Sequence, residues 1–364
     1  MESPKNNSTI KHSHYLYLAF EQAKINLGST KTNPSVGCVI VKDNAIISSG
    51  FTSINGRPHA EFNALSKKVN FENASMYVTL EPCSHYGITP PCTKIIIKKK
   101  IKKVFYSITD SDLRSKNKSK VILNKKKIYV KGSLLKKYGQ EFYKSYFIQH
   151  NSNLPFIDAK IAISKDYFTK NKKKKWITNY YSRKRSHLLR SRYNCIISTS
   201  KSINEDNSIL DCRINGMENK SPDLAIIDRD LRIKKNLNLF NKKNKRKIFL
   251  FTSSKNKKKI LFFKKKGIKI ILINSLKNKN DFNSLFLILK KKGYSRILIE
   301  TGLTMLNFLI RNKFLTNIYI FRSNKMLRSQ GFNYASSNMI KKINLNKPIN
   351  VNLLGDKLYI KRLK

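Results

Sequence analysis

The chain has 364 residues, enough for two domains with separate cores. Its formal net charge is +54 at pH 7, but the lysines run through the whole sequence beside Asn and Ile, as in Lys98–Lys103 and Asn241–Lys247. These are the residues of adenine- and thymine-rich codons. No stretch concentrates the charge among interleaved aromatics, so a drifted composition is expected and a specific nucleic-acid partner is not. Five cysteines are too few, and odd in number, for a disulfide framework. No N-terminal apolar segment reads as a secretion signal, and no apolar run approaches the ~18 residues that span a bilayer. A cytoplasmic protein without membrane contact is expected.

In chain order, Leu16, Ala19, Phe20, Ala23 and Leu27 recur at helical spacing, with Gly28 as a stop. Val36–Lys42 and Ala45–Gly50 predict a hairpin turning at Asp43-Asn44. Pro58 suits the first turn of a helix that would carry His59 and Glu61 in its opening residues. Met76–Leu80 predicts a strand that delivers Glu81-Pro82-Cys83 at its end. Thr89-Pro90-Pro91 predicts a second helix start, with Cys92 in its first turn, where backbone N–H groups and the helix dipole favour a thiolate. Polar Gln149–Asn153 reads as a linker dividing a domain at 1–150 from one at 151–364. Beyond it, strands are expected at Phe156–Ala162, Asn194–Thr199, Leu224–Asp228, Ile248–Thr252, Ile268–Ile273 and Arg296–Glu300. Helices are expected at Tyr180–Arg190, Phe282–Lys292 and Thr304–Asn312. That alternation argues a largely parallel sheet with helices on its faces. Cys38, Cys195 and Cys212 sit in apolar surroundings and read as small buried hydrophobes.

The chemistry concentrates in His59-Ala60-Glu61, Pro82-Cys83 and Cys92. Two thiolates and an imidazole fill three positions of a zinc tetrahedron and leave the fourth open for water, whose pKa the metal lowers to near ~7. Glu61, a carboxylate outside the ligand set, can then move protons. Zinc nucleobase deaminases use this constellation, with two residues between the cysteines; here the insert is longer, Ser84-His85-Tyr86-Gly87-Ile88-Thr89-Pro90-Pro91. Positions i and i+2 do not share a helical face, so spacing alone does not bring His59 and Glu61 to one metal. A closed structural zinc site remains open as an alternative, with His85 as its fourth ligand.

Thr32–Val41, His59-Ala60-Glu61, and Tyr77–His85 through Thr89–Cys92 closely resemble the deaminase domain of the bifunctional riboflavin-biosynthesis deaminase/reductase. In that family the long insert is characteristic, whereas tRNA adenosine deaminases carry the two-residue spacing. The resemblance implies Zn2+ on His59, Cys83 and Cys92, Glu61 as catalytic proton donor and acceptor, and Asn33 and His85 shaping the substrate pocket. Ile88 stands where relatives commonly carry a basic residue.

In the second half, Ile297–Thr304 reads as a strand entering a glycine turn and then a helix, a weak signal for a phosphate cradle, and no Gly-x-Gly-x-x-Gly follows a strand. Leu154–Lys160 with Ser164 and Asp166, Trp176-Ile177-Thr178, Leu188–Arg190, Leu210 with Arg213, Ile226–Asp228, and Glu300 with Gly302 line up in order with the family's reductase domain. That resemblance implies a cofactor NADPH touched by Ala162, Trp176, Ser202, Asp206 and Gly302, and a substrate held by Arg190, Leu210, Arg213 and Glu300. Taken singly, Trp176 also fits a core position, and any one arginine a solvated surface.

The departures in this half are Tyr167 for a glycine, Lys172–Lys175 before Trp176, Asp206-Asn207-Ser208 for Asp-Asp-Pro, and Arg229 for a serine. Tyrosine at position 167 is strained if the backbone there needs φ > 0.

The fold class implied is a three-layer α/β/α cytidine-deaminase-like domain followed by a dihydrofolate-reductase-like α/β domain. The activity implied is deamination of diaminohydroxyphosphoribosylaminopyrimidine to 5-amino-6-(5-phosphoribosylamino)uracil, then reduction of the ribosyl group to ribityl. Family members are commonly dimers or tetramers, which implies a homo-oligomer. One alternative is a deaminase whose second half is a decayed reductase kept as scaffold, and another is a nucleic-acid-editing deaminase.

Overall fold

A computed structural model describes residues 5–241 and 246–363, with side chains from Lys11 onward, so most of the basic run at 241–247 lies outside the described residues. The chain divides into two compact units at Ser152/Asn153.

The first unit runs α1 (Lys5–Lys24), β1 (Gly37–Lys42), β2 (Ala45–Phe51), α2 (Ala60–Leu65), β3 (Ser75–Leu80), α3 (Cys92–Lys98), β4 (Lys103–Ile108), α4 (Lys118–Asn124), β5 (Tyr129–Lys131), α5 (Lys136–Phe142) and α6 (Lys144–Asn151). Its sheet has the order β2-β1-β3-β4-β5. The β1–β2 hairpin turns where Asp43 and Asn44 both take positive φ, 48° and 65°, which Asp and Asn tolerate better than most residues.

Two glycines define the layers. A Cβ at Gly37 would stand 1.9 Å from the carbonyl oxygen of Ala19 in α1. A Cβ at Gly50 would stand 2.5 Å from the Ala60 oxygen and 2.5 Å from the Ala64 nitrogen in α2. Gly50 pairs across the ladder with Cys38, the neighbour of Gly37, so the two glycines face opposite sides of the sheet. α1 and α2 therefore cover opposite faces, giving the expected α/β/α layering.

The second unit runs β6 (Phe156–Ile163), β7 (Lys170–Asn171), α7 (Tyr180–Arg190), β8 (Cys195–Thr199), α8 (Ser200–Asp206), β9 (Asp223–Ile227), β10 (Ile248–Thr252), α9 (Lys257–Lys265), β11 (Lys269–Leu272), α10 (Lys279–Lys291), β12 (Arg296–Ile299), α11 (Leu303–Arg311), β13 (Asn317–Arg322), β14 (Gly331–Phe332), α12 (Asn338–Lys341) and β15 (Lys357–Arg362). Eight strands form one sheet, β11-β10-β9-β8-β12-β6-β13-β15, parallel throughout except for β13 against β15. Its central strands read as unbroken apolar runs because both faces are covered: Ile196, Leu224, Ala225, Leu250, Ile297 and Leu298 are all fully buried.

Some boundaries differ from the expectation. The first helix stops at Lys24, before Leu27. Pro58 lies ahead of α2, whose cap is His59, so proline does not occupy the first turn. Gln149–Asn151 end α6 instead of forming a linker; buried Tyr146 packs its ring 4.7 Å from that of His150 and carries the helix on. Cys38, Cys195 and Cys212 are buried, as expected. Among the described residues no helix is long and apolar enough to cross a membrane.

The close approach of α2 to β2 yields a first expected outcome. Gly50→Ala forces α2 away from the sheet, at a cost of about 1–3 kcal/mol. Because α2 carries His59 and Glu61, its melting temperature and its zinc retention should fall together. An unchanged melting temperature would contradict this packing.

Candidate active sites

Three element boundaries converge on the first site. His59 caps α2, Cys83 follows the end of β3, and Cys92 opens α3. Their ligand atoms lie within 4.8 Å of one another, the one such group among the described residues. His59 Nδ1 stands 3.6 Å from Cys83 Sγ and 3.4 Å from Cys92 Sγ. Two ligands at zinc–sulfur and zinc–nitrogen bond lengths on a tetrahedron are separated by ~3.6 Å, so the donor set fits zinc without rearrangement. His85, the candidate fourth ligand, is outside the group: its Nδ1 bonds the Ser115 hydroxyl at 2.7 Å.

Without a metal the electrostatics favour one thiolate, on Cys83, beside a protonated Cys92, so the helix start does not lower Cys92 itself, contrary to expectation. Hydrogen bonding from Cys92, reinforced by His59 and by the Cys92 backbone N–H at 3.2 Å, holds the Cys83 thiol down at about 4. That α3 amide thus serves Cys83 and not its own side chain. Cys92 is pushed up by its hydrogen bond to Cys83, by burial and by Glu61, and its proton must leave for both sulfurs to ligate.

Glu61 lies in the first turn of α2, 3 % exposed and outside the ligand group. Burial, with the Cys83 charge beside it, pushes its carboxyl up to about 7, where it both accepts and releases protons at neutral pH.

A second buried carboxylate braces the ligand loop, and nothing in the motif pattern announced it. Glu81, two residues before Cys83, accepts from the backbone amides of Asp110, Asn117 and Ser119 and from the Ser119 hydroxyl. The loop so held presents Ser115, which accepts from the Ser84 amide and pairs with His85. Asn33 donates its Nδ2 to the Gly56 carbonyl at 2.9 Å, and its Oδ1 has no partner among the described residues. Ile88, by contrast, is 89 % exposed.

The second site is a cleft of about 420 Å³ in the second unit. All nine residues to which the resemblance assigns cofactor or substrate contacts line it: Ala162, Trp176, Ser202, Asp206 and Gly302, with Arg190, Leu210, Arg213 and Glu300. Glu300 and Arg190 pair at two points, Nε to Oε1 at 2.6 Å and Nη2 to Oε2 at 3.0 Å, and Lys160 stands 3.7 Å away. Burial opposes the charge on Glu300, yet Arg190 and Lys160 hold it at about 2. Because its folded pKa is depressed, this contribution to stability is complete above the ordinary carboxylate range and is lost as pH falls toward about 2. Arg213 is more than half exposed at its side chain, 3.4 Å from Asp211, and turns a less encumbered guanidinium to the cleft.

Gly302 caps α11 with no side-chain cap bond, and a Cβ there would meet only Ser202 Oγ, at 3.9 Å. The helix start is therefore open to the cleft, as a phosphate cradle requires. Trp176 is 55 % exposed between Lys175 and Arg183, so it is no core residue. Asp206 is met by Lys170 Nζ at 2.8 Å; Lys170, Thr169 and Asn238 also line the cleft and carried no sequence signal. Tyr167 does adopt φ 67°, the strained conformation a glycine would relieve. The turn is held by Ser164, which donates to Asp166 and accepts from Phe168, and by Asp166, which accepts from Leu327 and Arg328.

Fold and sites together define a class: a zinc-binding deaminase half joined to a reductase half. Residues 9–108 match the cytidine and deoxycytidylate deaminase zinc-binding region, and residues 155–341 match the RibD C-terminal domain. The riboflavin biosynthesis protein RibD of Buchnera aphidicola subsp. Baizongia pistaciae is 30 % identical over 334 residues, covering 87 % of this chain and 88 % of that one. The protein of the same name from Aquifex aeolicus is 29 % identical over 317 residues, covering 86 % and 87 %. A crystal structure of a diaminohydroxyphosphoribosylaminopyrimidine deaminase/5-amino-6-(5-phosphoribosylamino)uracil reductase from Thermotoga maritima superposes with a TM-score of 0.80 at 25 % identity, covering 98 % of this chain and 99 % of that one. The chain belongs to the RibD family of riboflavin-biosynthesis proteins, enzymes with deaminase and reductase activities.

The geometry fixes what metal analysis should find. Cys83→Ser should lose zinc, and Glu61→Gln should retain one zinc per chain. Loss of zinc from Glu61→Gln would make that carboxylate a ligand and overturn its assignment.

Proposed function

We propose that residues 1–150 deaminate diaminohydroxyphosphoribosylaminopyrimidine to 5-amino-6-(5-phosphoribosylamino)uracil, and that residues 151–364 reduce the ribosyl group of that product to ribityl with NADPH. The observation that carries the first step is the three-ligand cluster with a buried carboxylate left outside it. A zinc ion held by His59, Cys83 and Cys92 supplies Lewis acidity that brings the pKa of a water near ~7. Glu61 takes the proton of that water, passes it to the ring nitrogen, and delivers a proton to the departing ammonia. Water thus replaces the ring amino group, and no oxidant is needed. The free Oδ1 of Asn33 and the ring of His85, oriented by Ser115, suit the recognition of a polar pyrimidine.

The second step is supported by the shared cleft. Ala162, Trp176, Ser202, Asp206 and Gly302 are disposed to hold NADPH, which supplies the hydride. Arg213 faces the same cleft and suits the substrate phosphate, whereas Arg190 spends its fork on Glu300 and so fixes that carboxylate in the cleft wall. The basic surface serves no specific nucleic acid in this reading: runs such as Lys98–Lys103 and Lys172–Lys175 belong to different units of the fold.

Two variants separate the steps. Glu61→Gln should cut ammonia release by several orders of magnitude while the chain still reduces the deaminated pyrimidine supplied to it. Arg213→Ala should weaken binding of that pyrimidine about 10-fold or more, with ammonia release unaffected. Loss of both activities in either variant would contradict the division of labour.

A further inference from the structure

If the deaminase reading above holds, its substrate carries a phosphate, and the first site needs a cation to meet it. The insert between Cys83 and Cys92 contains no lysine or arginine. Two nearby cations are already committed: Lys94 lies on the Tyr86 ring, 4.7 Å from its centroid, and Arg114 is clamped by Asp112 at 2.5 Å. Arg57 differs from both. Its Nη1 donates to the Thr89 hydroxyl, and a Cβ on Gly87 would stand 3.4 Å from its Nη2, so the guanidinium lies along the backbone of 87–89. No carboxylate pairs with it among the described residues, and its remaining N–H donors are unused there.

The position of Arg57 is set from both sides. It directly follows Gly56, whose carbonyl is tied to Asn33, and a Cβ on Gly56 would stand 2.5 Å from Asn33 Nδ2, so residues 56–57 are pressed against the Asn33 side chain. On its other side it grips the insert that carries His85. The guanidinium therefore bridges the two segments expected to frame the pyrimidine, two residues from His59. Exposed Ile88 leaves that stretch of the insert open to solvent.

We propose that Arg57 is the residue that binds the phosphate of the deaminase substrate, and that it makes this site prefer the phosphorylated pyrimidine over its dephosphorylated counterpart. A guanidinium fixed at one edge by a hydroxyl and against backbone presents its free edge as a preorganised fork, and such a fork matches phosphate oxygens bidentately. The inference rests on the deaminase reading and assigns it a specificity determinant.

The test compares kcat/KM for ammonia release from the phosphorylated and the dephosphorylated pyrimidine, using the zinc-loaded full chain. Arg57→Ala should lower the phosphorylated-to-dephosphorylated ratio about 10- to 100-fold, the loss expected for one or two charge-assisted hydrogen bonds. Adding Ile88→Lys to Arg57→Ala returns a cation to the same stretch of backbone and should restore part of the ratio. An equal fall for both substrates, with no rescue, would show that Arg57 only braces Thr89 and would overturn the proposal, as would an unchanged ratio. Failure of the unaltered chain to deaminate either pyrimidine would instead overturn the deaminase reading on which the proposal stands.

Discussion

A carboxylate shut away from water must be compensated, and both halves of this protein are organised around carboxylates that are. The compensation differs with the task. Glu300 is met by a two-point guanidinium contact and by Lys160, which keep it charged far below the ordinary carboxylate range. Glu81 is met by three backbone amides and a hydroxyl, which turn its charge into a brace for the Cys83 loop. Glu61 is compensated less fully, by its own backbone amide and by Cys92, and burial pushes its carboxyl up to about 7. A carboxylate meant to stay charged is fully caged, and one meant to exchange protons is buried with weaker partners.

The Arg190–Glu300–Lys160 cluster also bears on whether the second half is more than scaffold. A buried ion pair is weak support for stability, since well-packed apolar residues of similar volume commonly do as well or better. A domain kept only for its fold has no reason to retain such a cluster in a cleft wall. This chain holds it together with an open helix start at Gly302, in a sequence otherwise rich in lysine. The turn at Tyr167 adopts a left-handed backbone without a glycine. Caps from Ser164 and Asp166, and the Arg322 guanidinium 5.1 Å from the tyrosine ring, hold the conformation that a glycine would adopt freely.

Much of this was legible in the sequence, for identifiable reasons. Strands buried on both faces show as apolar runs, so β8, β9, β10 and β12 could be read directly, and Tyr180–Arg190 matched its helix end to end. β13 and β15 went unread because their apolar stretches are only Ile318–Phe321 and Leu358–Ile360, too short to separate strand from helix. Short helices such as α4 and α5 lack a periodic face long enough to detect. The zinc ligands were legible because each sits at an element boundary marked by proline. Their convergence was not, since local spacing says nothing about how the end of β3 meets the starts of α2 and α3. Glu81, Ser115, Arg57 and Lys170 escaped notice because their roles come from contacts across the fold, and no local pattern marks them.

The most direct measurement is a stoichiometry. The zinc-loaded full chain is given the phosphoribosyl pyrimidine and NADPH, and ammonia, oxidised cofactor and ribityl product are quantified from one reaction. If both halves are working sites, ammonia should form with or without NADPH, and with NADPH present the three yields should converge on equality. Ammonia released with no oxidation of NADPH and no ribityl product would contradict the account and leave the second half as scaffold alone.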